Sequence, residues 1–376
     1  MINPFLKSST LFTFCSLIAG CGGQYSEHGS YDGDSGATKK SEIHYAEEWH
    51  LDNIRQITNG GDNAEAYWSS NNDAVVFQAT NPDWGDECDQ IYTISINREA
   101  EDLMVTDKPQ LISTGLGRTT CSYFMPGDST IIYASTHLGA DACPPKPEKR
   151  EDGKYVWPIY ETFDIFVADL QGNIISQLTN EAGYDAEPTL SPKGDKIVFT
   201  SLRSGDLELY TMNIDGSDVK QITSELGYDG GAFFSADGEK LIFRSSRPKT
   251  DEEIADYKAL LAQGLVTPTE MELYICNADG SDLRQLTDLG KANWAPFFHP
   301  SGEQVVFASN HATERGYPFN LYLINVDGSG LEQITHDGVF DAFPMFTSDG
   351  KHLIFSSNRN NGGGHDTNLF LAEWVE

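Results

Sequence analysis

Six copies of one unit fill most of this 376-residue chain, and that repetition decides the architecture before any single residue is weighed. The most regular copy, residues 184–222, runs through an inner strand ending at a Ser-Pro turn, an alternating strand reading IVF, a third strand ending in Asp-Gly-Ser, and a short strand reading QIT. Asp215-Gly216, Asp279-Gly280 and Asp327-Gly328 share one column. Gln56, Gln177, Gln221, Gln285 and Gln333 share another, with Leu111-Ile112-Ser113 as a degenerate sixth. A period of about forty to sixty residues with four strand signals per copy marks a β-propeller blade, because a lone four-stranded blade leaves both faces uncovered until neighbours stack on it. The expected fold is all-β, a six-bladed β-propeller with four-stranded blades.

The ring should close through its amino-terminal strand. A strand of the outermost type, residues 53–58, precedes the first inner strand, and the last copy stops at its third strand, residues 368–374. Joining the two completes blade six and removes the exposed edges that invite aggregation. Two blades carry insertions between their second and third strands. In blade two, residues 137–162 are rich in proline and aromatics and read as an ordered loop without a helix. In blade four, Thr250 stands three residues before Glu253, Ile254, Tyr257, Leu260 and Leu261 share one face, and Gly264 follows, which predicts a capped amphipathic helix. Both insertions leave from the rim that carries the blade-to-blade loops. A binding site is expected on this elaborated rim and not on the plain one opposite.

Two columns meet there. Before each inner strand stand Asn63, Thr119, Asp185, Asp229, Asn293 and Asp341; after each second strand stand Asn81, His137, Arg203, Arg247, His311 and Arg359. Every Asp shares its repeat with an Arg. An arginine ring around the channel would attract an anion, whereas repeated clamps Asp185–Arg203, Asp229–Arg247 and Asp341–Arg359 would be structural, and the correlation between columns is what pairing demands. Positions that break the pattern are then the candidate partner-binding residues: Arg118, His137 and His311, with Trp157, Tyr184, Tyr228 and Trp294 from the rim loops.

The amino terminus reads as an export signal. Lys7, an apolar run over residues 11–19 and the small residues that follow make a signal peptide too short to span a bilayer. Leu17-Ile18-Ala19-Gly20-Cys21 resembles a bacterial lipobox, which implies acylation of Cys21 and a lipoprotein held to the membrane by lipid alone. Residues 1–20 are thus assigned to the signal peptide, 21–42 to a flexible tether poor in apolar residues, and 43–376 to the propeller. Asp32, Asp34 and Gly36 have calcium-loop spacing without the later acid. A net charge of −32 argues against nucleic acid and against docking on anionic lipid.

In an exported chain, two of Cys88, Cys121 and Cys143 are expected to form a disulfide pinning the blade-two insertion; a zinc site from three cysteines and a histidine is the alternative. Cys276 sits in a strand as a small apolar residue. No GxSxG elbow, HExxH helix or P-loop occurs, so the sequence calls for no catalytic residue, metal or cofactor. His44, Glu47, Glu48 and His50 read as a solvated flank.

The unit GYDAEPTLSPKGDKIVFTSLRSGDLELYTMNIDGS and its five siblings closely resemble the TolB-type β-propeller repeat, over residues 53–376. In that family an α/β domain precedes the propeller; here a tether stands in its place. The resemblance implies a non-catalytic cell-envelope protein, periplasmic or facing the outer membrane, monomeric, and binding an envelope protein or peptide. Because related propellers occur in sugar lyases, a lyase or hydrolase acting on a polysaccharide is the alternative.

Overall fold

A computed structural model describes residues 43–314, 316 and 318–376. The signal peptide, the tether and Cys21 lie outside the described residues. Among these, six four-stranded antiparallel sheets form the blades of a propeller, and a seventh sheet has two strands. Strand Leu51–Gln56 adds to the outer edge of Asn368–Trp374 and completes blade six, closing the ring.

The repeat consensus has a physical cause at each step. Strands two and three of every blade place one aromatic pair directly across from each other: Phe77 and Tyr92, Tyr133 and Phe166, Phe199 and Tyr210, Phe243 and Tyr274, Phe307 and Tyr322, Phe355 and Phe370, with centroids 5.9–6.3 Å apart. The threonine of QIT accepts the backbone N–H that starts strand three, as Thr223 does from Leu209 at 2.9 Å and Thr335 from Leu321 at 2.9 Å. Ser113 does the same for Ile91 at 3.0 Å, which explains why the degenerate sixth copy keeps a hydroxyl. In the Asp-Gly-Ser turns, Asp215, Asp279 and Asp327 each accept from the serine N–H two residues on.

All six inner strands share a feature that no residue type announces. Each carries a β-bulge where its pairing with strand two shifts register. Its bulged residue has left-handed φ: Glu65 (54°), Cys121 (47°), Glu187 (58°), Gly231 (60°), Ala295 (47°) and Phe343 (54°).

In the flank before the closing strand His44 and Glu47 face solvent as expected, but Glu48 and His50 are buried. Glu48 has no exposed surface and binds Arg359 Nη2 at 2.9 Å. His50 donates from Nδ1 to the Val375 carbonyl at 2.7 Å and stacks on Trp374. These contacts latch the two ends of the ring together.

Candidate functional site

On the elaborated rim the two insertions cover the channel and leave between them a shallow, open groove of about 820 Å3 lined by residues 145–152, 158–160 and 263–265. Trp157–Pro158 of the blade-two insertion pairs antiparallel with Leu265–Val266 of the blade-four insertion, so segments from two non-adjacent blades meet over the channel. Helix Asp251–Leu261 starts at a capping box formed by Thr250 and Glu253, buries Tyr257 and Leu260, and ties Tyr257 to Asp206. Cys88 and Cys143 form the disulfide that anchors the blade-two insertion; Cys121 and Cys276 remain outside it, both buried. Exchanging Cys143 for serine is expected to speed tryptic cleavage at Lys149, Arg150 and Lys154 roughly tenfold by raising local opening, with little change in the global melt. Timed mass mapping reads it.

Most of the candidate rim residues are built into this closure. Trp157, Tyr184, Tyr228 and Trp294 are 9%, 4%, 2% and 6% exposed and belong to one apolar cluster with Phe163, Tyr257 and Val266. Arg118 is also buried, and its acidic mate comes from outside the column: Asp89, at the approach to strand three of blade one. A salt bridge with 3% and 7% of its side chains exposed is not a surface for a partner.

The two columns form clamps where acid meets base. Arg203 reaches Asp185 at 2.8 Å, Arg247 reaches Asp229 at 2.6 and 2.9 Å, and Arg359 reaches Asp341 at 3.2 Å. Arg203 and Arg359 also cover both rings of their blades' aromatic pairs, and Arg247 covers Tyr274, 5.0–5.9 Å from the ring centroids. His137 and His311 take the same place in their blades. Their rings lie 4.5 Å from Phe166 and from Tyr322, and their Nδ1 atoms meet Ser135 at 2.9 Å and Ser309 at 3.0 Å. Burial pushes both imidazoles below their ordinary pKa, which favours the neutral ring that this packing uses.

On the plain face the channel stands open. The hairpins joining strands one and two surround a cavity of about 560 Å3, walled by Trp68, Tyr123, Phe233, Phe297 and Met345, with Asp128 and Lys193 at its lip. A mouth of this size, apolar inside and polar at the edge, is suited to taking an apolar group out of water.

Deeper in the channel is a buried polar cluster centred on Glu187 and Arg244. Glu187 contacts the Arg244 guanidinium and accepts from Tyr228 Oη at 2.9 Å, Thr200 Oγ1 at 2.7 Å and the Gly231 N–H at 2.9 Å. Arg244 also reaches Tyr228 Oη at 2.7 Å and lies over the Trp157 and Tyr228 rings. Gly231 makes the cluster possible, since a Cβ there would fall 1.8 Å from Arg244 Nη1. The signal was present in the sequence: the arginine in LIFRSS occupies a position held by Gln, Ala, Thr or Ser in the other five copies. A charge inside an alternating buried strand needs a partner across the channel.

The architecture thus defines a ring propeller lidded on one face and open on the other. Residues 160–263 match the family model for the TolB beta propeller domain. Among solved structures, the putative TolB from Agrobacterium tumefaciens has 18% identity and a TM-score of 0.53, over 84% of this chain and 91% of that one. TolB from Acinetobacter baumannii has 16% identity and a TM-score of 0.49, over 84% of this chain and 64% of its own. An oligogalacturonate lyase from Vibrio parahaemolyticus has 12% identity and a TM-score of 0.44, over 86% and 92%. At these identities the likeness is one of fold. No curated protein matches the chain.

Proposed function

We propose that this chain is a non-catalytic binding propeller of the cell envelope, lipid-anchored through Cys21, that receives a protein or peptide partner at the open mouth of its channel. The contrast between its two faces carries the reading. The rim elaborated by insertions has spent its aromatic residues on a lid, while the opposite mouth presents an aromatic-walled cavity of about 560 Å3 to solvent. Solvent-facing apolar concavities of this kind are where binding energy is available. The envelope location rests on the lipobox-like stretch before residue 22. A polysaccharide-active enzyme would draw on His137 and His311, whose rings are packed at a tilt on Phe166 and Tyr322 and hydrogen-bonded within separate blades. That occupation favours the binding reading.

Selection of a displayed peptide library on the intact chain tests it. Phe297→Glu, in the wall of the mouth, is expected to weaken every selected peptide at least about tenfold, the size of a lost aromatic anchor. Lys149→Glu, on the exposed outer surface of the lid, is expected to leave binding unchanged. The reverse pattern would return the site to the lidded rim.

A further inference from the structure

Below the mouth the channel narrows at a collar of rings. Tyr67 lies 5.5 Å from both Tyr123 and Phe233, and Phe233 lies 5.4 Å from Phe297, centroid to centroid. Beneath this collar is a chamber of about 20 Å3, lined by Glu65, Cys121, Glu187 and Arg244. That volume holds one water-sized group.

Three residues of the chamber wall, Glu65, Cys121 and Glu187, are bulge residues held at φ 47–58°, a conformation that side chains other than glycine adopt at a cost. Glu187 is fully satisfied by Arg244, Tyr228, Thr200 and the Gly231 N–H. Glu65 is not. It is 5% exposed, the Cys121 thiol hydrogen-bonds its carboxyl, and Oε2 has no partner. A buried carboxylate oxygen without a donor is costly, and the Arg244 guanidinium is committed to Glu187 and Tyr228. The chamber therefore holds one acidic group more than it holds bases.

We propose that this chamber seats a primary ammonium group, delivered through the aromatic collar on an unbranched apolar stem such as that of an alkylamine or a lysine side chain. Its three N–H donors would reach Glu65 Oε2, and its charge would lie among the faces of Tyr67, Phe233 and Phe343. The stem would part Tyr67 of blade one from Phe233 of blade four, whose rings meet across the channel at 5.5 Å, leaving the rest of the ligand in the mouth. A carboxylate would meet Glu65 and Glu187 as like charges. A guanidinium or quaternary ammonium exceeds the chamber, and an alcohol leaves Glu65 uncompensated. The inference does not rest on a peptide partner, since a free amine presents the same group.

The groups that face or bias Glu65 are Glu187 and Arg244 across the channel, Cys121 and Asp89 beside it, and Tyr67 in the collar. Burial pushes the Glu65 carboxyl up to about 7. Ammonium affinity is therefore expected to fall about tenfold for each pH unit below that value, as Glu65 takes up a proton.

Calorimetric titration of the full chain with n-pentylamine, Nα-acetyl-lysine amide, pentanol and pentanoate is the test. At pH 8 pentylamine should bind at least about tenfold more tightly than pentanol or pentanoate, weaken at pH 6, and lose its advantage in Glu65→Gln. Equal binding of acetyl-lysine amide would assign the seat to a partner's lysine; binding of pentylamine alone would assign it to a small amine. In the parent chain, pentylamine should slow alkylation of Cys121, mapped by mass, and pentanoate should not. This keeps the test decisive even if the variant folds poorly. Equal binding of pentanol and pentylamine, unchanged amine affinity in Glu65→Gln, or Cys121 alkylation indifferent to the amine would each overturn the proposal.

Discussion

Replacing Arg359 with alanine is expected to destabilise the propeller by about 3–5 kcal/mol, the range for stripping one partner from a buried ion pair. Arg359, Glu48 and Asp341 are all fully buried, and one guanidinium serves both carboxylates while donating to the Ile43 carbonyl at 2.9 Å. Its loss would leave two acids in a low-dielectric pocket, with Asp337 beside them already pushed above its ordinary range by burial and by Asp341. Urea unfolding followed by tryptophan fluorescence measures the loss. Glu48→Gln combined with Asp341→Asn should restore part of it, because the orphaned charges are then gone. A midpoint for Arg359→Ala equal to that of the parent would show that the latch contributes nothing.

Stability is expected to rise as pH falls from 8 toward 5. Burial raises Asp62 and Glu65 to about 7, and raises Glu208 and Asp337 as well. The sign follows from proton counting. Between the ordinary carboxylate range and about 7 these groups stay protonated in the fold but ionise in the unfolded chain, so raising pH across that window favours unfolding. For fully buried Glu65 the swing is of order 3 kcal/mol. Glu65→Gln should therefore flatten the stability–pH curve between about pH 5 and 7 by up to that amount and leave the acid end unchanged. Buried histidines such as His137 and His311, held below their ordinary pKa, work in the opposite direction across this window and temper the total, while turn aspartates such as Asp215 and Asp279, whose carboxyls are held low by Ser217 and Ser281, act only at the acid end. Denaturant midpoints at four pH values would settle the sign, and a curve that climbs from pH 5 to 8 would contradict it.

What the sequence made legible was whatever recurs. The QIT hydroxyl, the Asp-Gly-Ser turn, the strand that closes blade six and the helix cap at Thr250 all depend on neighbours at fixed spacing, and period alone reveals them. Its blind spots were contacts made once and through space. Trp157 and Val266 come from insertions two blades apart, so nothing local shows that they pair and turn the elaborated rim into a lid. Arg118 has a mate that lies outside its own column. Glu48 looks like part of a polar flank until the ring closes and brings Arg359 against it. The bulges are invisible for another reason: five of the six residues at left-handed φ are not glycine, so the usual marker is missing.

That column of bulges has a consequence for what the molecule can become. At a bulge the chain steps out of its hydrogen-bond ladder for one residue, so the side chain there has no counterpart that the blade requires. The aromatic pairs and the QIT hydroxyls that hold each blade lie elsewhere. Four interior slots, now filled by Glu65, Cys121, Ala295 and Phe343, can thus be rewritten one blade at a time with the wheel left standing, whereas Glu187 and Gly231 are tied to Arg244. A chain built this way can exchange its cargo without redesigning its frame.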